Sequence, residues 1–435
     1  MTTEIRSTIS TLGLPTVRGE EGYLARVKDF PITLDLVKNL KGIANFVGVT
    51  PKFKEVIDYF NVAEGETPAG FKVEFELDSE NVLRADLVRN ISYDKNGQKR
   101  PTNLLFSADS ANPYEVAPIK NLLANLTCNP GIIYDLFINN PKANIGNQFK
   151  TRDEVMSEIG KILGPGADIS VELNDPFGKS DAEILEEAAR FKELLSEHRV
   201  VIKVPHTGPV NKDNVKELLT GDKKFSKKYN DVSTADALRG HNMALMLHEH
   251  GYRVNFTLMF EPYQTALALQ ARPYFINSFI RHRLMQSVDM KNYLDLYAVT
   301  KEIKYLEALK SFMVDKDFLP VNANVDLSAV KAKAEQMLKY RNFDNKEGSD
   351  GLDGVRHNLR LLRQTNMEDT RLILCSMEGD DNYPDIDRLL ASDEYGDMAG
   401  RVVLTAEPNY LAQFTTTNQV VTYQRRFMNA ANGAQ

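Results

Sequence analysis

The chain has 435 residues, 42% of them hydrophobic and 26% charged, which is enough for a large core and excludes wholesale disorder. Its 53 basic and 60 acidic side chains leave a net charge of −7, which argues against nucleic acid as a partner. Two cysteines, Cys128 and Cys375, form neither a disulfide framework nor a Cys/His array, as suits a reducing compartment. The opening MTTEIRSTIS lacks the profile of a signal peptide, and no apolar run reaches about 18 residues. A cytoplasmic protein with no membrane partner is expected.

Residues 1–100 mix helical stretches with a strand, FKVEFEL (71–77), and a hairpin, VRNISYDKNGQKRP, turning at Asn96-Gly97. They read as an added N-terminal α+β segment. From residue 103 onward eight short apolar runs recur: NLLFSADS (103–110), NLTCNP (125–130), DISVELN (168–174) and RVVIKVP (199–205), then RVNFTLMF (253–260), PYFINSFI (273–280), RLILCSM (371–377) and RVVLTAE (401–407). Several are almost continuously apolar, as parallel strands buried on both faces must be. Between them lie helical periods such as AEILEEAARFKELLSEH (182–198) and HNMALMLHEH (241–250), the latter closed by Gly251.

Eight strands alternating with helices predict an α/β fold of the (β/α)8 TIM barrel type over residues 101–435, with insertions near 208–239 and 284–370. The open doubly wound sheet is the alternative. It would usually carry a Gly-x-Gly-x-x-Gly turn, and none follows any of these strands. No internal repeat is present.

In such a barrel the chemistry gathers at the C-terminal strand ends. Those ends carry Asp109 and Ser110, Thr127 and Asn129, Glu172 and Asn174, Lys203, Asn255 and Thr257, Asn277 and Ser278, and Ser376. Lys203 interrupts the apolar run Val200–Pro205, so burial is expected to lower its pKa toward ~7–8 and free a nucleophilic amine. The bland alternative is a solvated lysine on an edge strand. Asp109 and Glu172 can supply proton transfers, although either could instead cap a helix, Asp109 the one that starts at Asn112-Pro113. His241, His248 and His250 share one helix without metal-ligand spacing, and no metal site is expected. Lysines 223, 224, 227 and 228 read as a solvated loop.

These motifs together resemble the transaldolase family. IKVPHT (202–207) is similar to its lysine strand, and VNFTLMF with Gln264 to its N-x-T strand and following glutamine. FSADS and LTCNP (126–130) resemble its D-[ST]-A and T-[TS]-N-P elements. SVEL resembles its S-x-E-V strand, the Gly240-to-Gly251 spacing its preceding helix, and TAEPNYL (405–411) its last element. The resemblance covers about 103–283 and 371–411 in the family's order and leaves residues 1–100 and both insertions unexplained.

The resemblance implies a cofactor-free enzyme of carbohydrate metabolism, of the pentose phosphate kind, acting on sugars or sugar phosphates. Lys203 would form an imine with a ketose. Glu172 would work through a water held by Thr257, and Asp109 would take the C4 hydroxyl proton. Asn129, Asn255, Thr127 and Ser278 would bind the dihydroxyacetone unit, with Arg283 at the substrate's far end and Ser376 after strand seven. Two departures stand out. The family's S-P-F-x-G-R is NSFIRHR here, which makes Arg281 a rival to Arg283. Its S-F-R is Ser376-Met377-Glu378, an acid where a second phosphate-binding arginine is expected. A fructose-6-phosphate-aldolase-like lyase is the nearest rival, although that type tends to carry glutamine at the Glu172 position. A non-catalytic binding protein is the other. Assembly as a homo-oligomer is compatible with the sequence.

Overall fold

In the computed structural model, which describes residues 7–40, 42–376 and 382–433, eight parallel strands close into a barrel. They are Leu105–Asp109 (β1), Leu123–Cys128 (β2), Asp168–Glu172 (β3), Arg199–Pro205 (β4), Arg253–Met259 (β5), Phe275–Ile280 (β6), Arg371–Ser376 (β7) and Val402–Ala406 (β8). Each pairs with its neighbours in chain order, and β8 closes on β1 through Thr405 beside Ser107. This is a (β/α)8 TIM barrel with an added N-terminal α+β segment.

Both faces of each strand are buried, but by different partners. Outward residues such as Leu126, Val171, Ile202, Phe256 and Leu404 pack under the surrounding helices in the main core. Inward Leu105, Val201, Phe275, Ile373 and Val403 form an apolar layer in the lumen. The near-continuous apolar runs follow from this double burial. Several helices are held at their start by side chains: Thr151 with Glu154, and Ser180 with Glu183, form capping boxes on Arg152–Leu163 and Asp181–Leu194. Each such cap contributes about 1 kcal/mol. Gly240, in helix Thr234–Glu249, presses so closely on β4 that a Cβ there would lie 2.3 Å from the Pro205 carbonyl oxygen.

The N-terminal segment has its own core, with Val49, Phe53, Phe60, Leu83 and Leu87 between a three-stranded sheet and helix Pro51–Phe60. In that sheet Val82–Arg89 lies between Phe46–Val49 and Phe71–Leu77. The expected hairpin turning at Asn96-Gly97 is present in short form: Tyr93 bridges Lys99 antiparallel, and the Arg100 backbone donates to the Ser92 carbonyl at 2.7 Å. It does not lengthen into a strand pair, and Val88 and Arg89 belong to Val82–Arg89, which pairs antiparallel with Phe71–Leu77. The reason is competition from the barrel. Ile91 is buried with Leu105 and Ala124, and Asn90 accepts a 3.0 Å hydrogen bond from Arg371, so the chain is drawn off before a second strand pair forms.

The segment docks under the N-terminal ends of the strands. Arg199 donates to the Gly70 carbonyl and pairs with Asp168, while Arg100 donates to the Leu123 carbonyl at 2.8 Å. Gly70 has φ +73°, and a Cβ there would collide with the Arg199 guanidinium.

After β6, helices His282–Thr300, Lys304–Asp315 and Leu327–Tyr340 form a bundle around Met290, Leu309, Met313, Val330 and Ala334. The next helix, Asp353–Arg363, returns to the barrel through Val355, Leu359 and Leu362. Between β4 and Thr234 the chain is irregular apart from the turn Val215–Leu218. No helix among the described residues is long and apolar enough to cross a membrane.

Candidate active site

Residues paired across neighbouring parallel strands share a face, so register alone assembles the site. Glu172 pairs with Lys203 and Lys203 with Asn255; Asp109 pairs with Thr127 and Thr127 with Ser170. Lys203 stands two positions above luminal Val201, and Asp109 four above luminal Leu105, at the mouth.

Lys203 is 3% exposed, and its Nζ lies 3.1 Å from Glu172 Oε2. The expected depression of its pKa is corrected here. Burial does push the ammonium down, but the charges of Glu172 and Asp109 outweigh it, and the pKa is raised. Lys203 therefore rests as a cation, and its nucleophilic form requires the proton to leave. Glu172 is the acceptor within reach.

Asp109 is not the helix cap. Asn112 takes that role, its Oδ1 accepting from the Tyr114 backbone at 3.0 Å. Asp109 Oδ1 is buried with no hydrogen-bond partner. Burial, with help from Glu172 and Glu407 and against Lys203, raises its pKa from 3.8 to about 6. Thr127 Oγ1, Asn255 Oδ1, Thr257 Oγ1 and Thr405 Oγ1 are likewise buried and unpartnered. Buried polar groups are seldom left so. Five of them on one luminal face form a surface suited to a polyhydroxylated ligand.

Beneath this ring the polar groups satisfy one another. Asn125 donates to Ser107 at 2.8 Å, Ser170 donates to Asn125 at 3.4 Å, and Asn255 donates to Ser170 at 3.3 Å. Opposite, the Cys375 thiol lies 3.0 Å from Asn277 Oδ1. Asn125, Ser170 and Thr405 were missed in the sequence. The signal was there: each stands two residues from a singled-out position or from Glu407, in the same period-two phase.

Other expected site residues are placed differently. Ser278 is corrected: because Phe275 and Asn277 face the lumen, Ser278 faces outward, and its hydroxyl accepts from Asn358 of helix Asp353–Arg363 at 3.3 Å. Arg283 is ion-paired with Glu261 (2.9 Å) and Asp353 (3.1 Å), and Arg281 with Asp385. Neither guanidinium is presented as an open phosphate ligand. Asn129 Oδ1 accepts from the Ile132 backbone at 2.9 Å. The side chain of Ser376 and the whole of Glu378 lie outside the described residues.

Gln264 explains how the motif around β5 works. Its Oε1 accepts from the Phe260 and Glu261 backbones at 2.7 and 2.8 Å, and its Nε2 donates to the Leu258 carbonyl at 3.1 Å. These bonds hold a register shift after Phe256, in which Leu258 takes φ +62°, a conformation costing a β-carbon residue about 1–2 kcal/mol. The strained residue directly follows Thr257, so Gln264 fixes the place where β5 leaves the mouth.

The histidines of helix Thr234–Glu249 and its cap stay apart from the site, His250 bonding its own helix at the Met246 carbonyl. No group of three or more His, Cys, Asp or Glu among the described residues could hold a metal ion.

The raised Asp109 pKa sets an expectation for stability. A carboxyl whose pKa is higher in the folded state favours folding most when protonated. That advantage fades as pH rises from about 4 to about 6. At pH 7 Asp109→Asn should therefore stabilise the fold by about 2–3 kcal/mol, and below pH 4 the gain should vanish. Denaturant unfolding of both proteins at the two pH values measures this; a gain that persists in acid would rule out ionised Asp109 as its source.

A luminal lysine paired with a carboxylate, beside a second carboxylate at the mouth of a closed (β/α)8 barrel, is the equipment of imine-forming carbonyl chemistry. Residues 106–311 match the family model described as Transaldolase/Fructose-6-phosphate aldolase, a family of Schiff-base aldolases and transaldolases, and this match supports the transaldolase-family assignment of the barrel. The match takes in the first six strands. No curated protein matches the chain. Among solved structures, a mandelate oxidase variant with 4-Br-2-hydroxy-methylphenylacetate is similar at 7% identity and a TM-score of 0.30, covering 73% of this chain and 69% of that one. That likeness is too slight to bear on fold or ligand.

Proposed function

We propose that the enzyme is a transaldolase-type transferase, moving a dihydroxyacetone unit from a ketose to an aldehyde through an imine on Lys203, within cytoplasmic carbohydrate metabolism. The observation that carries this reading is the Lys203–Glu172 pair at 3.1 Å under the unpartnered Asp109 oxygen.

Lys203 passes a proton to Glu172, and the free amine adds to the C2 carbonyl. Glu172 then returns that proton, through a water held by Thr257, to the carbinolamine hydroxyl, which leaves as water. Asp109 accepts the C4 hydroxyl proton as the C3–C4 bond breaks, releasing an aldehyde and leaving an enamine on Lys203. The enamine carbon attacks the acceptor aldehyde, Asp109 returns its proton to the new hydroxyl, and water frees the product. Asn255, Thr127 and Thr405 supply hydrogen bonds to the three-carbon unit, with Asn129 beside them. Asn277, and not Ser278, faces that unit from β6.

Glutamate rather than glutamine at position 172 favours transfer over simple cleavage. Because Arg281 and Arg283 are both ion-paired, a terminal phosphate gains no open arginine fork there. Fructose 6-phosphate with erythrose 4-phosphate should therefore show kcat/KM at least about tenfold below that of a ketose with an uncharged terminus. Product analysis with and without an acceptor tests both points. Efficient transfer between ordinary sugar phosphates would refute the second. Dihydroxyacetone release that is equally fast without an acceptor would refute transfer and leave the lyase reading.

A further inference from the structure

The N-terminal segment and the barrel floor enclose an open cleft at the end of the strands opposite the Lys203 mouth. Its inner part has a volume of about 350 Å³ and is walled by helix Pro51–Phe60, Phe71 and Arg89 on one side, and by Lys192, Tyr252 and Arg253 on the other. A second hollow of about 610 Å³ continues it and shares Arg89, Tyr252 and Arg253.

Arginines gather at this floor, and they fall into two groups. Arg199, Arg371 and Arg100 spend their donors within the protein, on Asp168 and Gly70, on Asn90 and Gly400, and on Ile91 and Leu123. Arg89 and Arg253 do not. Each has a buried Nε without a hydrogen-bond partner, and neither is ion-paired among the described residues. Asp168, the buried acid of the floor, is already committed to Arg199 and to the Tyr274 hydroxyl at 3.0 Å. Burial, followed by the charges of Arg89 and Arg199, brings the Arg253 pKa down to about 10. Two unpaired guanidiniums side by side in a half-buried cleft repel one another, and an anion between them removes that penalty.

The rim adds Lys52 and Lys192 against Glu55 and Asp369. Lys192 lies in the last turn of Asp181–Leu194, where a cation is favoured by the helix dipole, so it alone would signify little. Arg89 and Arg253 lie on strands, away from any helix end; Arg89 lies over the Tyr274 ring at 5.4 Å, but neither meets a carboxylate among the described residues. The apolar wall is aromatic: Phe60 and Phe71 rings are 5.6 Å apart, and Lys192 lies over Tyr59 and Tyr252. A phosphate suits the paired guanidiniums better than a carboxylate does, because it offers more oxygens and a second charge.

We propose that this cleft is a binding site for a small organic phosphate, with its phosphoryl group on Arg89 and Arg253 and its apolar body against Tyr59, Phe60 and Phe71. The site is built from both parts of the chain, so an occupant clasps the N-terminal segment to the barrel.

Calorimetric titration of the full chain with inorganic phosphate and with phenyl phosphate tests this. Phenyl phosphate should bind more tightly than inorganic phosphate and raise Tm. Arg89→Met and Arg253→Met should each weaken it at least about tenfold. Should those variants fail to fold, the exposed pair Lys52→Ala with Lys192→Ala should still weaken binding severalfold, and Lys203→Ala should leave it intact. Absence of binding by either probe, or equal affinity in wild type and the floor variants, would overturn the proposal. So would loss of binding in Lys203→Ala, which would place the anion at the mouth.

Discussion

Lys203→Ala should remove borohydride trapping of a ketose altogether and lower turnover by about 10⁴-fold or more, because no other group can form the imine. Lys203→Arg should be as inactive, since a guanidinium keeps its proton and cannot attack a carbonyl. The arginine variant is the more informative of the two. It retains a cation against Glu172 and Asp109, so the electrostatics of the mouth survive while the nucleophile is lost. Mass spectrometry after borohydride treatment locates the adduct. An adduct on any other lysine, or turnover that survives in a folded Lys203→Ala, ends the covalent mechanism.

The second large effect separates the two acids. Glu172→Gln takes away the proton acceptor 3.1 Å from Lys203 Nζ, so imine formation and release should slow by roughly 10²–10⁴-fold. It also strips a buried ammonium of its main partner, a change that destabilises by about 3–5 kcal/mol unless the lysine gives up its charge. The Lys203 pKa should therefore drop in this variant, which places the nucleophile's charge under the control of Glu172. Asp109→Asn should instead stop carbon–carbon cleavage while still allowing the imine to be trapped. Equal loss of trapping in both variants would show that the two carboxylates do not divide the work.

Much of this arrangement was legible in the sequence, because a closed parallel barrel translates linear pattern into space with few choices. Apolar runs marked the strands, and polar residues at their C-terminal ends marked the mouth. What stayed hidden depended on partners far along the chain. The charge state of Lys203 is governed by Glu172 and Asp109, whose proximity exists only once three strands are in register. Arg283 looked open until Glu261 and Asp353, from either side of it in sequence, closed around it. Ser278 was a matter of phase. Inward Phe275 decides that Asn277 faces the lumen, and a serine taken from the family's pattern falls on the wrong face. Residues 1–100 gave up a strand and a turn, but strand pairing there was settled by the pull of the barrel floor on Asn90 and Ile91.

The ion-paired wall at the end of β6 has a consequence for how a substrate arrives. Arg281, Arg283 and Arg341 are each matched to a carboxylate within a few ångströms, so their fields largely cancel a short way into the solvent. A mouth with exposed arginines would draw an anionic sugar from a distance and speed its capture. This wall exerts little such pull. On the proposed function, this wall adds no long-range pull on an anionic sugar, and discrimination between sugars would fall to the hydrogen-bonding ring inside the lumen.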